Sequence, residues 1–240
     1  MISVRALTKT YGAFKAVDNL SFDVAAGEVV GLIGPNGAGK TSTLRCIVGI
    51  QAPSGGAISV AGHDIVRQPI DAKKRLAFMA DEPHLFEYLT VVEHLRLTSR
   101  LYRVPQEDFD ARAARLLAEL QLTGKEDALP VELSRGMRQK VAIACGLLHE
   151  PSVLLFDEPL TGLDPLGIRH MKETIVSRGR GGAAVIVSSH LLHLVEEICT
   201  RIVIINRGVK VADGTLADLR AQSAPGSNLE QIFLSATDNE

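Results

Sequence analysis

The chain has 240 residues, 46% hydrophobic and 22% charged, a globular balance long enough for one core or two closely joined subdomains. Its net charge of −2 gives no reason to expect nucleic acid as a partner. No apolar run approaches the roughly 18 residues of a membrane span.

Met1-Ile2-Ser3-Val4-Arg5 already reads as a strand rather than a signal peptide, so the protein is expected to start in the cytosol. Short strands are expected near 2–7, 17–24, 28–33 and 57–62. After the third comes Gly34-Pro35-Asn36-Gly37-Ala38-Gly39-Lys40-Thr41, which fits the phosphate-loop pattern G-x-x-x-x-G-K-[S/T]. Residues 42–48 read as the start of a helix, so the motif has the strand, turn and helix it needs. Glycines let successive N–H groups turn toward phosphate oxygens, and the helix N-terminus adds partial positive charge. Lys40 can reach the β- and γ-phosphates, and the Thr41 hydroxyl is placed for Mg²⁺. Pro53-Ser54-Gly55-Gly56 marks a loop.

The strand Leu76-Ala77-Phe78-Met79-Ala80 leads to Asp81-Glu82-Pro83, where proline forces a loop. That loop is apolar for a surface connection, with Leu85, Phe86, Tyr88 and Leu89. These four either pack under the helical region or form an exposed interface patch. Residues 90–122 are expected to be helical, with Phe109, Ala113, Leu116, Leu117 and Leu120 on one face. Ser134 is a good N-cap for the helical run 138–149; taken alone, this is only a capped helix. Val153-Leu154-Leu155-Phe156-Asp157-Glu158 reads as a buried strand delivering two acids at its C-terminal end, where parallel sheets bind ligands. Asp157 would hold Mg²⁺ through water and Glu158 would polarise the water attacking the γ-phosphate. Residues 153–205 alternate strand and helix, as a parallel sheet does. His190 and His193 form an H-x-x-H pair, but no third ligand frame supports a metal there. The tail from Val211 carries two short, peripheral helix candidates around Ala224-Pro225-Gly226. Cys46, Cys145 and Cys199 lack metal-type spacing and read as reduced core residues.

Taken in order, Gly34–Thr41, Leu133–Gln139 and Val153–Glu158 resemble the Walker A, signature and Walker B motifs of ATP-binding cassette (ABC) proteins. The resemblance runs from Ile2 to Leu219. It implies an α/β P-loop NTPase core with a mainly parallel sheet, an N-terminal antiparallel β subdomain and an inserted α-helical subdomain at about 88–149. The cassette would span 1–223, followed by a short helical tail at 224–240. Tyr11 sits where the family stacks a ring on adenine, with a strand tyrosine packed in the core as the alternative. Residues Gly34 to Ser42, with Ser134 and Gly136 from a second cassette, would bind ATP. Lys40, Glu158 and His190, the last as the γ-phosphate switch, would be catalytic, and Thr41, Asp81 and Asp157 would hold Mg²⁺. Thr161-Gly162-Leu163-Asp164-Pro165 resembles the D-loop.

Four positions depart from the family pattern. Arg135 and Met137 replace the usual signature residues, although this variant is similar to export-type cassettes. Asp81 stands where the family has the Q-loop glutamine. Thr41 replaces serine as the expected Mg²⁺ ligand, a harmless exchange. The resemblance implies the ATPase subunit of a membrane transporter, peripheral on the cytoplasmic face through a separate permease. Two copies, or one copy and a related cassette, are implied, with a homodimer the expectation. Features around Arg135–Lys140 and in the Leu229–Leu234 tail look like exporters paired with ABC-2-type permeases. The alternatives are a non-transport ABC ATPase and a nucleotide-binding module without turnover. The first usually needs a long coiled-coil insertion, for which about fifty residues between Asp81 and Ser134 are too few; against the second stand Glu158 and His190.

Overall fold

The computed structural model describes residues 1–161, 163–223 and 227–237. Gly162 of the D-loop, Ala224–Gly226 and 238–240 lie outside the described residues.

Two sheets face one another. The first is antiparallel, in the order β2-β1-β4-β5, from β1 (Ile2–Tyr11), β2 (Phe14–Val24), β4 (Gly55–Val60) and β5 (His63–Asp64). The second contains β3 (Val29–Ile33), β6 (Leu76–Met79), β7 (Val153–Asp157), β8 (Ala184–Ser188), β9 (Arg201–Asn206) and β10 (Val209–Gly214). Its order is β10-β9-β3-β8-β7-β6, parallel throughout except for the β10–β9 pair. Every residue of β3, β7 and β8 is buried, which is why these strands read as continuous apolar runs rather than alternations. Side chains from one face of this sheet, such as Val30, Leu32, Leu155 and Ile186, share a core with Ile2, Val4 and Ile58 of the first sheet.

The helices are α1 (Lys40–Ile47), α2 (Pro69–Lys74), α3 (Val91–Tyr102), α4 (Gln106–Glu119), α5 (Arg135–Leu147), α6 (Pro165–Arg180), α7 (Leu192–Ile198), α8 (Leu216–Ala221) and α9 (Leu229–Thr237). The stretch expected to be helical over 90–122 is two helices, α3 and α4. Arg103 ends α3 in the left-handed region at φ 56°, and Pro105, at the N-cap of α4, cannot continue a helix. Thr90 and Glu93 form a capping box at the start of α3, worth about 1 kcal/mol. Phe109, Ala113, Leu116, Leu117 and Leu120 are buried together with Leu95, Val141 and Ala144.

The tail is less peripheral than its sequence suggests. Val211 to Gly214 complete a strand, and Leu229 and Ile232 of α9 are buried against the sheet. Burial pushes the Cys145 thiol up to about 11 and the Cys199 thiol to about 12, so both are unreactive thiols at neutral pH.

Candidate active site

The phosphate loop joins β3 to α1. Gly39 occupies the N-cap of α1 at φ 102°, where a Cβ would come within 2.4 Å of the Ala16 carbonyl oxygen, so only glycine fits. No side chain caps α1 and its first turn carries no acid, leaving its N–H donors available to an anion. Lys40 is buried, and its Nζ donates to the carbonyls of Gly34 at 2.7 Å and Pro35 at 3.2 Å. Burial lowers its pKa, while the charges of Glu158 and Asp157 act the other way.

Asp157 is the last residue of β7, paired in register with Ser188 at the end of β8. The Ser188 hydroxyl donates to Asp157 Oδ1 at 2.5 Å. Glu158 leaves the strand at φ 51°, a conformation that costs a non-glycine residue free energy and collects at functional sites. Its N–H donates to the Ser188 carbonyl at 3.1 Å, which holds this turn in place. Glu158 Oε2 lies 2.9 Å from His190 Nδ1 and accepts from the His190 backbone N–H at 3.3 Å. An ionised carboxylate only accepts, so Nδ1 carries the hydrogen and Nε2 is left open.

Tyr11, Asn36, Gly37, Ala38, Gly39, Lys40, Thr41, Ser42, Asp157 and Glu158 line one cavity of about 340 Å³. Tyr11 is 42% exposed, which removes the core-packing alternative. Its hydroxyl bonds Gln51 and lies 3.4 Å from Ser42 Oγ. Gly34 and Pro35 serve the site through the carbonyls that hold Lys40. His190 joins it through Glu158, whereas His193 is exposed on α7.

Ser134 and Gly136 do not line this cavity. Ser134 caps α5, its Oγ accepting from the Met137 N–H at 3.2 Å, and both Ser134 and Arg135 are exposed. Asp81 does not line the cavity either; its Oδ1 lies 3.8 Å from Arg135 Nη2. Two of the departures from the family pattern, Asp81 and Arg135, therefore face each other. Gln139 is buried, and its Nε2 donates to the Pro159 carbonyl at 2.9 Å, tying the signature helix to the turn after β7. Asp164 caps α6 by accepting from the Gly167 N–H at 2.9 Å.

Sequence reasoning missed Ser188, Phe14 and Gln51. A hydroxyl ending an apolar strand was the available signal for Ser188. Phe14 pairs with Tyr11 across a hairpin, is 63% exposed and lines the cavity; an aromatic residue on each side of Gly12-Ala13 was its only mark. Nothing local distinguishes Gln51, whose partner is distant in sequence.

A buried lysine under a glycine-rich loop, with a carboxylate pair at the end of a parallel strand, defines a P-loop nucleotide triphosphatase. The ABC transporter family model matches residues 17–161, and the chain belongs to this family. It is 36% identical to the ABC-type transporter ATP-binding protein EcsA of Bacillus subtilis, over 99% of this chain and 96% of that one. It is 38% identical to the Nod factor export ATP-binding protein I of Paraburkholderia xenovorans, over 94% and 74%. A solved ATP-binding subunit of an ABC transporter superposes with a TM-score of 0.94 at 36% identity, covering 98% of this chain and 99% of that one. A dimeric cassette in a post-hydrolysis state with ADP and Pi superposes at 0.82, with 25% identity, over 90% and 99%. The protein is thus an ATP-binding and ATP-hydrolysing subunit of an ABC transporter, and the non-transport alternative is not supported. Subunits of this kind dimerise and act with separate permeases.

Proposed function

We propose that two copies of this cassette close head-to-tail on two ATP molecules and that hydrolysis drives a separate permease in the export direction. The observation that carries this reading is the division of the motifs. Lys40, Thr41, Asp157 and Glu158 share one cavity, while Ser134 and Gly136 stand outside it, with Ser134 exposed. One chain alone offers half of the ligands a γ-phosphate needs, and a second chain supplies the rest. Residues 1–223 form the cassette, with 88–149 as its helical part and 224–240 as its tail.

In this reading the loop N–H groups and Lys40 hold the β- and γ-phosphates. The Thr41 hydroxyl and the Asp157 carboxylate are hard oxygen donors at the cavity, the set Mg²⁺ takes. Mg²⁺, when bound, neutralises charge on the β- and γ-phosphate oxygens. Asp81, the third proposed ligand, would first have to leave Arg135. Glu158 accepts a proton from the attacking water as the new O–P bond forms and the β–γ bridge breaks, releasing ADP. His190 fixes the orientation of the Glu158 carboxylate through Nδ1 and presents Nε2 toward the γ-phosphate.

Ser134→Arg tests the paired site. The added guanidinium occupies the surface meant for the partner's phosphate, so ATPase activity should fall by at least about a hundredfold. ATP binding to the monomer should remain. Wild-type turnover in this variant would leave the signature without a role.

Export is supported by relatives named for export, multidrug and antibiotic-resistance transport. Among the described residues no helix is long and apolar enough to cross a membrane, which fits a subunit that reaches the cytoplasmic face through its permease.

The permease is proposed to meet the 83–89 segment. Leu85 packs against the core, whereas Phe86 is 62% and Tyr88 87% exposed. The Phe86 N–H donates at 2.9 Å to Nε2 of buried His94, whose Nδ1 lies 2.8 Å from the Thr90 carbonyl. That chain of bonds holds the loop while its two rings face outward. Tyr88, Leu129 and Val131 line an adjoining apolar cavity of about 590 Å³. Phe86→Asp or Tyr88→Asp should abolish co-purification with the permease. Basal ATPase should stay within about twofold, because exposed substitutions cost little stability. Normal assembly of both variants would place the docking surface elsewhere.

A further inference from the structure

The C-terminal helix α9 is tied at both ends to elements that carry the ATP site. At its start the Leu229 N–H donates to Glu196 Oε1 at 3.0 Å, and that oxygen lies 3.6 Å from Arg220 Nη2 on α8. Glu196 belongs to α7, which begins two residues after His190. At its end the Thr237 carbonyl accepts from Asn206 Nδ2 at 3.0 Å. Asn206 closes β9, and in the turn that follows, the Gly208 N–H donates to the carbonyl of phosphate-loop Ala38 at 3.0 Å. Between these ends Leu229 and Ile232 pack with Ile33, Val195, Ile202 and Ile204. Ile33 immediately precedes the phosphate loop. Val195 sits so close to β3 that a Cβ on Gly31 would lie 2.6 Å from its Cγ1.

We propose that α9 is a brace that positions both halves of the ATP site. Glu196 is a positioning residue for the His190–Glu158 pair, and Asn206 is one for the phosphate loop. This rests on the catalytic assignment of Glu158 and His190 made above. The physical need is clear in α7, a helix of seven residues with no side-chain cap at its start. Helices this short are not stable alone, so tertiary contacts set where α7 lies. Apolar packing keeps it on the sheet, while the directional bond from Leu229 to Glu196 fixes its last turn. The placement of His190 follows, because only Leu191 separates it from α7.

The two ends should fail differently in the full-length chain. Glu196→Ala is expected to lower kcat about tenfold with KM for MgATP within about twofold, as a misplaced catalytic group does. Glu196→Gln keeps an acceptor for the Leu229 N–H and should restore at least about half of kcat. Asn206→Ala should instead raise KM about fivefold and leave kcat within about twofold. A tail with a merely stabilising role would lower the melting temperature and move both constants together in both variants. That result, or wild-type constants in both, overturns the proposal. His190→Ala is the control: wild-type turnover there removes the catalytic assignment, whereas a dead His190→Ala beside an unchanged Glu196→Ala rejects the brace alone.

Discussion

Lys40→Ala is expected to bind ATP weakly and to hydrolyse essentially none, a loss of at least about a hundredfold in turnover. The ammonium lies over the loop, donating to the Gly34 and Pro35 carbonyls; burial lowers its pKa, and the charges of Glu158 and Asp157 oppose that shift without cancelling it. Without the ammonium those carbonyls lose their donor, and the loop has only backbone N–H groups to offer the β- and γ-phosphates. Charge that develops on the phosphates in the transition state then loses the one cation that the described residues hold at the loop. The fold should survive, because the substitution removes a group that is costly to bury and leaves the packing of Thr43, Leu44 and Cys46 untouched. Phosphate release and nucleotide binding on the purified chain check this, with circular dichroism as the folding control. Wild-type turnover in Lys40→Ala would remove the phosphate-loop assignment.

What could be read from sequence was what is written locally. The phosphate loop is a run of adjacent residues whose types are dictated by backbone geometry, and β3, β7 and β8 are apolar because both faces are covered. The helical region is legible from its apolar face, and Pro105 is the local mark of its break, whereas Arg103 in the left-handed region leaves no compositional mark. Contacts that join distant segments were out of reach. Ser188 approaches Asp157 only because β7 and β8 pair in register, and Asp81 finds Arg135 across the boundary between sheet and helices. The tail's role was hidden for the same reason: Leu229 and Ile232 look like any amphipathic pair until Ile33 and Val195 are seen beneath them.

Glu158→Gln should bind ATP normally, lose turnover by about 10²- to 10⁴-fold, and accumulate as a dimer. Gln keeps the size of the side chain and an oxygen that can accept from His190 Nδ1, so the left-handed turn after β7 has no reason to change. What is lost is the capacity to take a proton from water. If hydrolysis is what releases the two cassettes, a variant that binds ATP and cannot cleave it should stay closed. With ATP and Mg²⁺ it should elute from a sizing column at twice the mass of the nucleotide-free chain, and with ADP it should return to the monomer position. Adding Ser134→Arg to the same chain should abolish that dimer, because the signature face is then blocked while the Lys40 cavity is unchanged. The pair of results separates two explanations that a dead enzyme alone would leave together. Loss of the dimer only in the double variant ties association to the signature surface; a Glu158→Gln chain that remains monomeric with every nucleotide would refute the paired site, even with Glu158 still serving as the base.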